Sequence, residues 1–140
     1  MILKEFKLHP RLIKDTFYII DLKLSRLLLM NNSNYPWFIL VPTRKNITEL
    51  YELEKKDRLQ LNSEIDTISK KLSIYFNAKK MNIAALGNVV PQLHIHIIVR
   101  KENDAAWPNP VWNNTDTIPY KESCSFKLVK DIRKLLGDLI

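Results

Sequence analysis

Residues 92–99, QLHIHIIV, restrict what this chain can fold into more than any other stretch. Polar and apolar residues alternate up to Ile97, after which the segment is continuously apolar, the pattern of a strand packed on a core. Residues two apart on a strand point to the same face. Gln92, His94 and His96 are therefore expected to project side by side, while Leu93, Ile95 and Ile97 enter the core. Two of the chain's three histidines stand here. Imidazole titrates near neutrality, so such a pair can offer a nucleophile and a proton donor to one bound group. The competing reading is a zinc site, because H-x-H makes a good two-ligand edge. It needs a third ligand, and His9, Cys124 and the carboxylates stand at no telling spacing. No metal or other cofactor is expected.

The flanking sequence reads as an α+β fold. Residues 16–20 and 25–30 are short strands joined by a turn at residues 21–23, and turn formers fill residues 31–36. Residues 37–41 (WFILV) form a further strand, whose ladder Pro42 ends. The clearest helix starts at Thr48 as its N-cap. Leu50, Leu53, Leu61, Ile65, Ile68, Leu72 and Tyr75 then recur at helical steps. Glu49 and Glu52 lie early and Lys70 and Lys71 late, as the helix dipole prefers. A helix apolar on one side must lie on a sheet. Residues 81–86 are another strand, with a turn signal at Gly87-Asn88. A loop over residues 101–116 carries Trp107, Pro108, Pro110 and Trp112, and residues 122–139 form a C-terminal helix. Without a repeat or linker, residues 1–140 are read as one domain with its core at about 15–112.

A chain of 140 residues can bury such a core without staples, and its one cysteine, Cys124, excludes an internal disulfide. The opening MILKEFKLHPRLIKD has no apolar h-region, so no signal peptide is expected. No apolar run approaches the roughly 18 residues of a membrane span. The expected setting is cytoplasmic. A formal charge of +7 suits anionic partners such as nucleotides, phosphates or nucleic acid, although scattered lysines serve solubility equally well. Two glycines leave no P-loop and no Rossmann fingerprint.

Residues 87–100, GNVVPQLHIHIIVR, resemble the signature of the histidine-triad superfamily, in which three alternating histidines lie on a strand behind a Gly-containing turn. WFILVPTRKNI resembles that family's second strand and the loop to its long helix, and the following elements keep the family's order. More narrowly, the chain resembles a bacterial branch with YPW, ALGNVVPQLH-x-H and AWP-x-PVW motifs, here at residues 35–37, 85–96 and 106–112. The resemblance implies a HIT-like fold: an antiparallel sheet of about five strands, one long helix packed on it and a C-terminal helix. It also implies a homodimer acting on nucleotides, in the manner of a diadenosine polyphosphate hydrolase.

Carried over by residue, the resemblance makes His94 the covalent nucleophile and sets His96 against the phosphoryl oxygens. Asn88 falls on a polar residue beside the phosphate, and Asn82 on an asparagine that helps hold sugar or phosphate. Two positions depart from the family. Gln92 stands for the first histidine of the triad, and Trp37 for a further histidine near the site, where an indole could pack beneath the imidazoles. Glutamine cannot deliver a proton at neutral pH, so leaving groups that need little protonation are expected, a phosphate chain before an amine. The implied chemistry has neutral His94 attack the α-phosphorus with one ring nitrogen free and the other held by an acceptor such as a backbone carbonyl. The alternative is a nucleotide-binding protein with little catalysis; an RNA-associated protein rests only on charge and three tryptophans. Trp107 and Trp112 could lid the site, cross to a second subunit or cap the domain's own apolar surface. His9 reads as an exposed turn residue and Arg100 as a solvated strand end.

Overall fold

The computed structural model describes residues 6–140. Strands β1 (Thr16–Asp21), β2 (Ser25–Met30), β3 (Trp37–Pro42), β4 (Lys80–Ala84) and β5 (Ile95–Arg100) form one antiparallel sheet in the order β1-β2-β3-β5-β4. A short helix α1 (Pro10–Asp15) leads into β1, α2 (Lys55–Phe76) connects β3 to β4, and α3 (Glu122–Leu135) follows a long loop. This is the expected α+β architecture. Among the described residues, no helix is long and apolar enough to cross a membrane.

The sheet is covered on both faces, which is why β3 and the end of β5 carry unbroken apolar runs. On one face Leu27, Leu29, Phe38, Leu40, Ile95, Ile97 and Val99 meet Leu61, Ile68 and Leu72 of α2, together with Ile132 and Leu136. On the other, Leu28, Trp37, Ile39, Val41 and Ile98 meet Leu12 of α1 and the loop residues Val90, Ala106 and Val111. The two-residue period sends His96 to this second face, beside Ile98. Loops and one short helix roof that face, and a roof of loops leaves room for a ligand.

Several element ends differ from the sequence reading. The long helix begins at Lys55 rather than Thr48. The cause is Glu52, whose carboxylate accepts the Thr48 N–H (3.0 Å), the Thr48 hydroxyl (2.8 Å) and the Glu49 N–H (2.8 Å), closing a separate 3-10 turn over Leu50–Glu52. Leu53 still enters the core, but Leu50 and Tyr75 are exposed. The buried stripe of α2 instead includes Asp57 and Glu64. Asp57 accepts from Arg44 (2.8 and 3.1 Å) and Glu64 from the Leu24 N–H (2.9 Å), so both acids tie α2 to the sheet. β5 begins at Ile95, not Gln92, because Pro91 offers no N–H and the Leu93 N–H bonds the Ile47 carbonyl (2.9 Å) outside the ladder. β4 stops at Ala84 rather than Leu86, and α3 gives way to a 3-10 turn over Gly137–Leu139. Helix α1 was not expected. His9, read as an exposed turn residue, is its half-buried N-cap, and its ring accepts the Arg11 N–H (3.0 Å).

Arg100 is not solvated; it is 1% exposed. Its guanidinium donates twice to Asp104 (2.8 and 3.0 Å), once to Asn82 Oδ1 (2.8 Å) and once to the Asn109 carbonyl (2.8 Å). The rings of Tyr35 and Trp107 flank it, each centroid 5.7 Å away. A cation can leave water at this point because Asp104, four residues on, folds back as its counter-charge and the remaining donors find acceptors. Asp104 also accepts the N–H groups of Lys101, Ala106 and Trp107, so one ion pair fastens the whole loop after β5 to the sheet. Removing one partner of a buried pair strands the other charge, so Asp104→Ala should lower unfolding stability by about 3–5 kcal/mol in urea titrations. A loss below about 1 kcal/mol, the range of an exposed pair, would contradict this account of the clamp.

Candidate active site

The approach to β5 is a turn at residues 85–91 built around Gly87, whose φ of +80° suits glycine and strains any side chain. Val90 packs into the second core and anchors the turn, while Asn88 and Val89 stay exposed at its tip. The chain then passes through His94, just before the strand, and His96 on it. Their rings lie 4.9 Å apart at 72°. Both side chains are buried, His94 at 6% and His96 at 5% exposure.

Two hydrogen bonds assign the ring protons. His94 Nδ1 stands 2.7 Å from the Gln92 carbonyl oxygen. A carbonyl only accepts, so Nδ1 carries a proton, and in the neutral ring Nε2 holds the lone pair. For His96 the polarity is reversed. The Trp37 indole N–H, which only donates, gives its bond to His96 Nδ1 at 2.9 Å. His96 therefore has its proton on Nε2 and is neutral. Burial, and secondarily the neighbouring His94, push its pKa down to about 3. One ring offers an electron pair and the next an N–H.

Both rings open onto a cleft of about 370 Å³. One wall is apolar, from Leu12, Met30, Ile39 and Val90. Arg11, Asp15, Asn88 and Asn113 bring polar groups to it. Trp37 lies tilted against His96 at 5.7 Å, and Trp112 stands edge-on to both, 5.0 Å from the imidazole and 5.5 Å from Trp37. A second cavity of about 370 Å³, lined by Thr48, Glu49, Tyr51, Leu86 and Gln92 among others, also touches His94. His94 thus lines both spaces. Among the described residues, no three His, Cys, Asp or Glu side chains converge to hold a metal ion.

Of the residues expected at a site, His94, His96, Trp37 and Asn88 meet at this cleft. Gln92 does not stand beside the histidines on the strand. Its amide turns to the N-terminal segment, accepting the His9 N–H (2.9 Å) and donating to the Lys7 carbonyl (2.9 Å). Asn82 pairs with Ile98 on β5, away from the cleft, and its side-chain oxygen is held by Arg100. Sequence reasoning missed Arg11, Leu12 and Asp15, because a helix of six residues shows no periodicity. The proline at its first position was the available signal. The open alternatives for the two loop tryptophans divide: Trp112 stands edge-on to His96 and Trp107 packs on Arg100.

The HIT domain family model matches residues 11–103. Among solved structures, a histidine triad protein from Marinobacter aquaeolei is 42% identical, with a TM-score of 0.94 over 97% of this chain and 99% of that one. A histidine triad protein from Bradyrhizobium japonicum is 41% identical, with a TM-score of 0.88 over 97% and 98%. The diadenosine triphosphate hydrolase of Plasmodium falciparum shares the fold at 18% identity, with a TM-score of 0.66 over 98% and 95%. Comparison with the curated proteins returns no match.

The protonation of His96 has a consequence for stability. Its folded pKa lies below the unfolded value near 6.5, so between those limits the unfolded chain binds a proton that the folded one refuses. The contribution is unaffected above about pH 6.5 and is lost progressively as pH falls towards 3. Unfolding titrations should show that slope in the wild type and a shallower one in His96→Gln; equal slopes would rule out a neutral buried His96.

Proposed function

We propose that this chain, which belongs to the HIT-domain family, is a nucleotide hydrolase or nucleotidyl transferase working through a covalent His94 intermediate. The observation that carries the reading is the polarity of the imidazole pair: a free Nε2 on His94 beside an N–H on neutral His96. His94 Nε2 attacks the α-phosphorus of a nucleoside polyphosphate or nucleotidyl adduct. An N–P bond forms, the bridging P–O bond breaks, and the distal phosphate leaves with the electron pair. Positive charge on the ring is stabilised through Nδ1–H by the Gln92 carbonyl. Water then attacks the same phosphorus, the nucleoside monophosphate departs, and the water's proton passes to solvent. Splitting one difficult displacement into two easier ones is the gain from such a nucleophile. The His96 Nε2–H, with Asn88 at the cleft edge, stabilises charge growing on the phosphoryl oxygens, a contribution of about 3 kcal/mol for one preorganised donor.

The apolar wall of Leu12, Met30 and Ile39 suits a nucleobase. The finer reading is a diadenosine polyphosphate hydrolase-like activity, supported by one structural relative's being a diadenosine triphosphate hydrolase. The same reading takes the protein as a cytoplasmic homodimer. An exposed free Cys124 agrees with a reducing setting, and the exposed Ile83 on edge strand β4, with Ile74 and Tyr75 on α2, suits burial by a second copy.

His94→Ala should abolish turnover while leaving mononucleotide affinity within about threefold, because Nε2 forms a bond only during reaction. Quenching the wild type without acid after mixing with α-labelled substrate should trap label on His94. Undiminished turnover by His94→Ala removes the nucleophile; tight binding with neither label nor turnover leaves a nucleotide-binding protein instead. With the Gln92 amide engaged elsewhere, no acid faces the leaving group from that position, so a dinucleoside polyphosphate should have a higher kcat/KM than a nucleoside phosphoramidate. The reverse order in a substrate panel would overturn that preference.

A further inference from the structure

We infer that Gln92, standing where the family's first histidine would, is a positioning residue that clamps the N-terminal segment down as a wall of the nucleotide cleft. The inference rests on the functional reading above for its ligand, and on direct geometry for the clamp.

Both ends of the Gln92 amide are engaged by backbone. Its oxygen accepts the His9 N–H at 2.9 Å and its nitrogen donates to the Lys7 carbonyl at 2.9 Å. These two bonds fix the amide's orientation toward the N-terminal segment, and an amide delivers no proton to a leaving group at neutral pH. What it holds is specific. The segment continues into α1, which brings Arg11, Leu12 and Asp15 to the cleft. The far end of α1 is fixed by its run into β1 and by the Asn31 N–H on the Asp15 carbonyl (3.0 Å). The near end is fixed, across 83 residues of sequence, by Gln92. Two anchors thus hold α1, one at each end, and one of them belongs to the residue whose carbonyl orients His94.

This dual attachment divides the work of one residue. The Gln92 carbonyl sets the imidazole and survives any side-chain substitution. The Gln92 amide sets the wall and does not. Loss of the amide should therefore weaken nucleotide binding while leaving the chemical step nearly intact. Histidine at position 92 is no repair, since one imidazole cannot reproduce the amide's paired donor and acceptor in the same geometry.

The test compares wild type with Gln92→Ala, Gln92→Glu and Gln92→His. Gln92→Glu keeps the shape but turns the donor facing the Lys7 carbonyl into an acceptor. Each variant should raise KM for a dinucleoside polyphosphate, and Kd for AMP by calorimetry, by about tenfold, with kcat within about twofold. Native-state hydrogen exchange gives a second readout that needs no ligand: protection of the His9 amide should fall by about tenfold in Gln92→Ala. A Gln92→His variant with raised kcat and unchanged KM would overturn the clamp in favour of a vacated acid position, and unchanged exchange at His9 would overturn it outright. Wild-type protein that binds no AMP would instead refute the proposed function, with the clamp then decided by exchange alone.

Discussion

Each imidazole in the cleft makes one hydrogen bond to a partner whose role is not negotiable. A backbone carbonyl can only accept and an indole can only donate. Those two facts place a proton on Nδ1 of His94 and on Nε2 of His96, and leave the His94 lone pair on Nε2 in the neutral ring. Chemistry at phosphorus needs an electron pair and a nearby donor, and this arrangement supplies one of each from rings 4.9 Å apart. Trp37 is the unusual member. An indole cannot take up a proton, so it holds His96 in the one neutral form that presents an N–H, and it helps bury the ring so that protonation becomes unfavourable.

The rest of the fold keeps those two bonds in register. One sheet face packs two helices and supplies much of the apolar burial. The opposite face is left to α1 and loops, which is where a cleft can exist. Loops hold their shape only if fastened. The Arg100–Asp104 pair fastens the segment after β5 at nearly complete burial, Gly87 makes the turn before the histidines, and the Gln92 amide draws in the N-terminal segment. Each fastening has one member within eight residues of His94 or His96 in sequence. The histidines and these fastenings thus centre on residues 87–104, while Trp37 and the α1 wall reach the site from distant parts of the chain.

Much of this was legible in the sequence, because periodicity reports burial. β2 was read to the residue, and the face occupied by Ile95 and Ile97 followed from alternation alone. His94, His96 and their nearness followed from the same rule. What escaped was set by hydrogen bonds between distant segments. Nothing in the pattern around Thr48 reveals that Glu52 will close a separate turn, and nothing around Arg100 reveals that Asp104 folds back to neutralise it. Gln92 looked like a third member of a polar stripe. Its side chain answers instead to Lys7 and His9, a pairing across more than eighty residues that no local reading can find. Asn82 escaped for the same reason, since its partner Arg100 is a neighbour only across the sheet.

The tautomers themselves can be observed. Long-range proton–nitrogen correlation spectra of the uniformly nitrogen-labelled protein near pH 8 distinguish protonated from unprotonated ring nitrogens. His94 should carry a proton on Nδ1 and a bare Nε2, and His96 the opposite pattern. A spectrum with the His94 proton on Nε2, or with His96 protonated at both nitrogens, would contradict it.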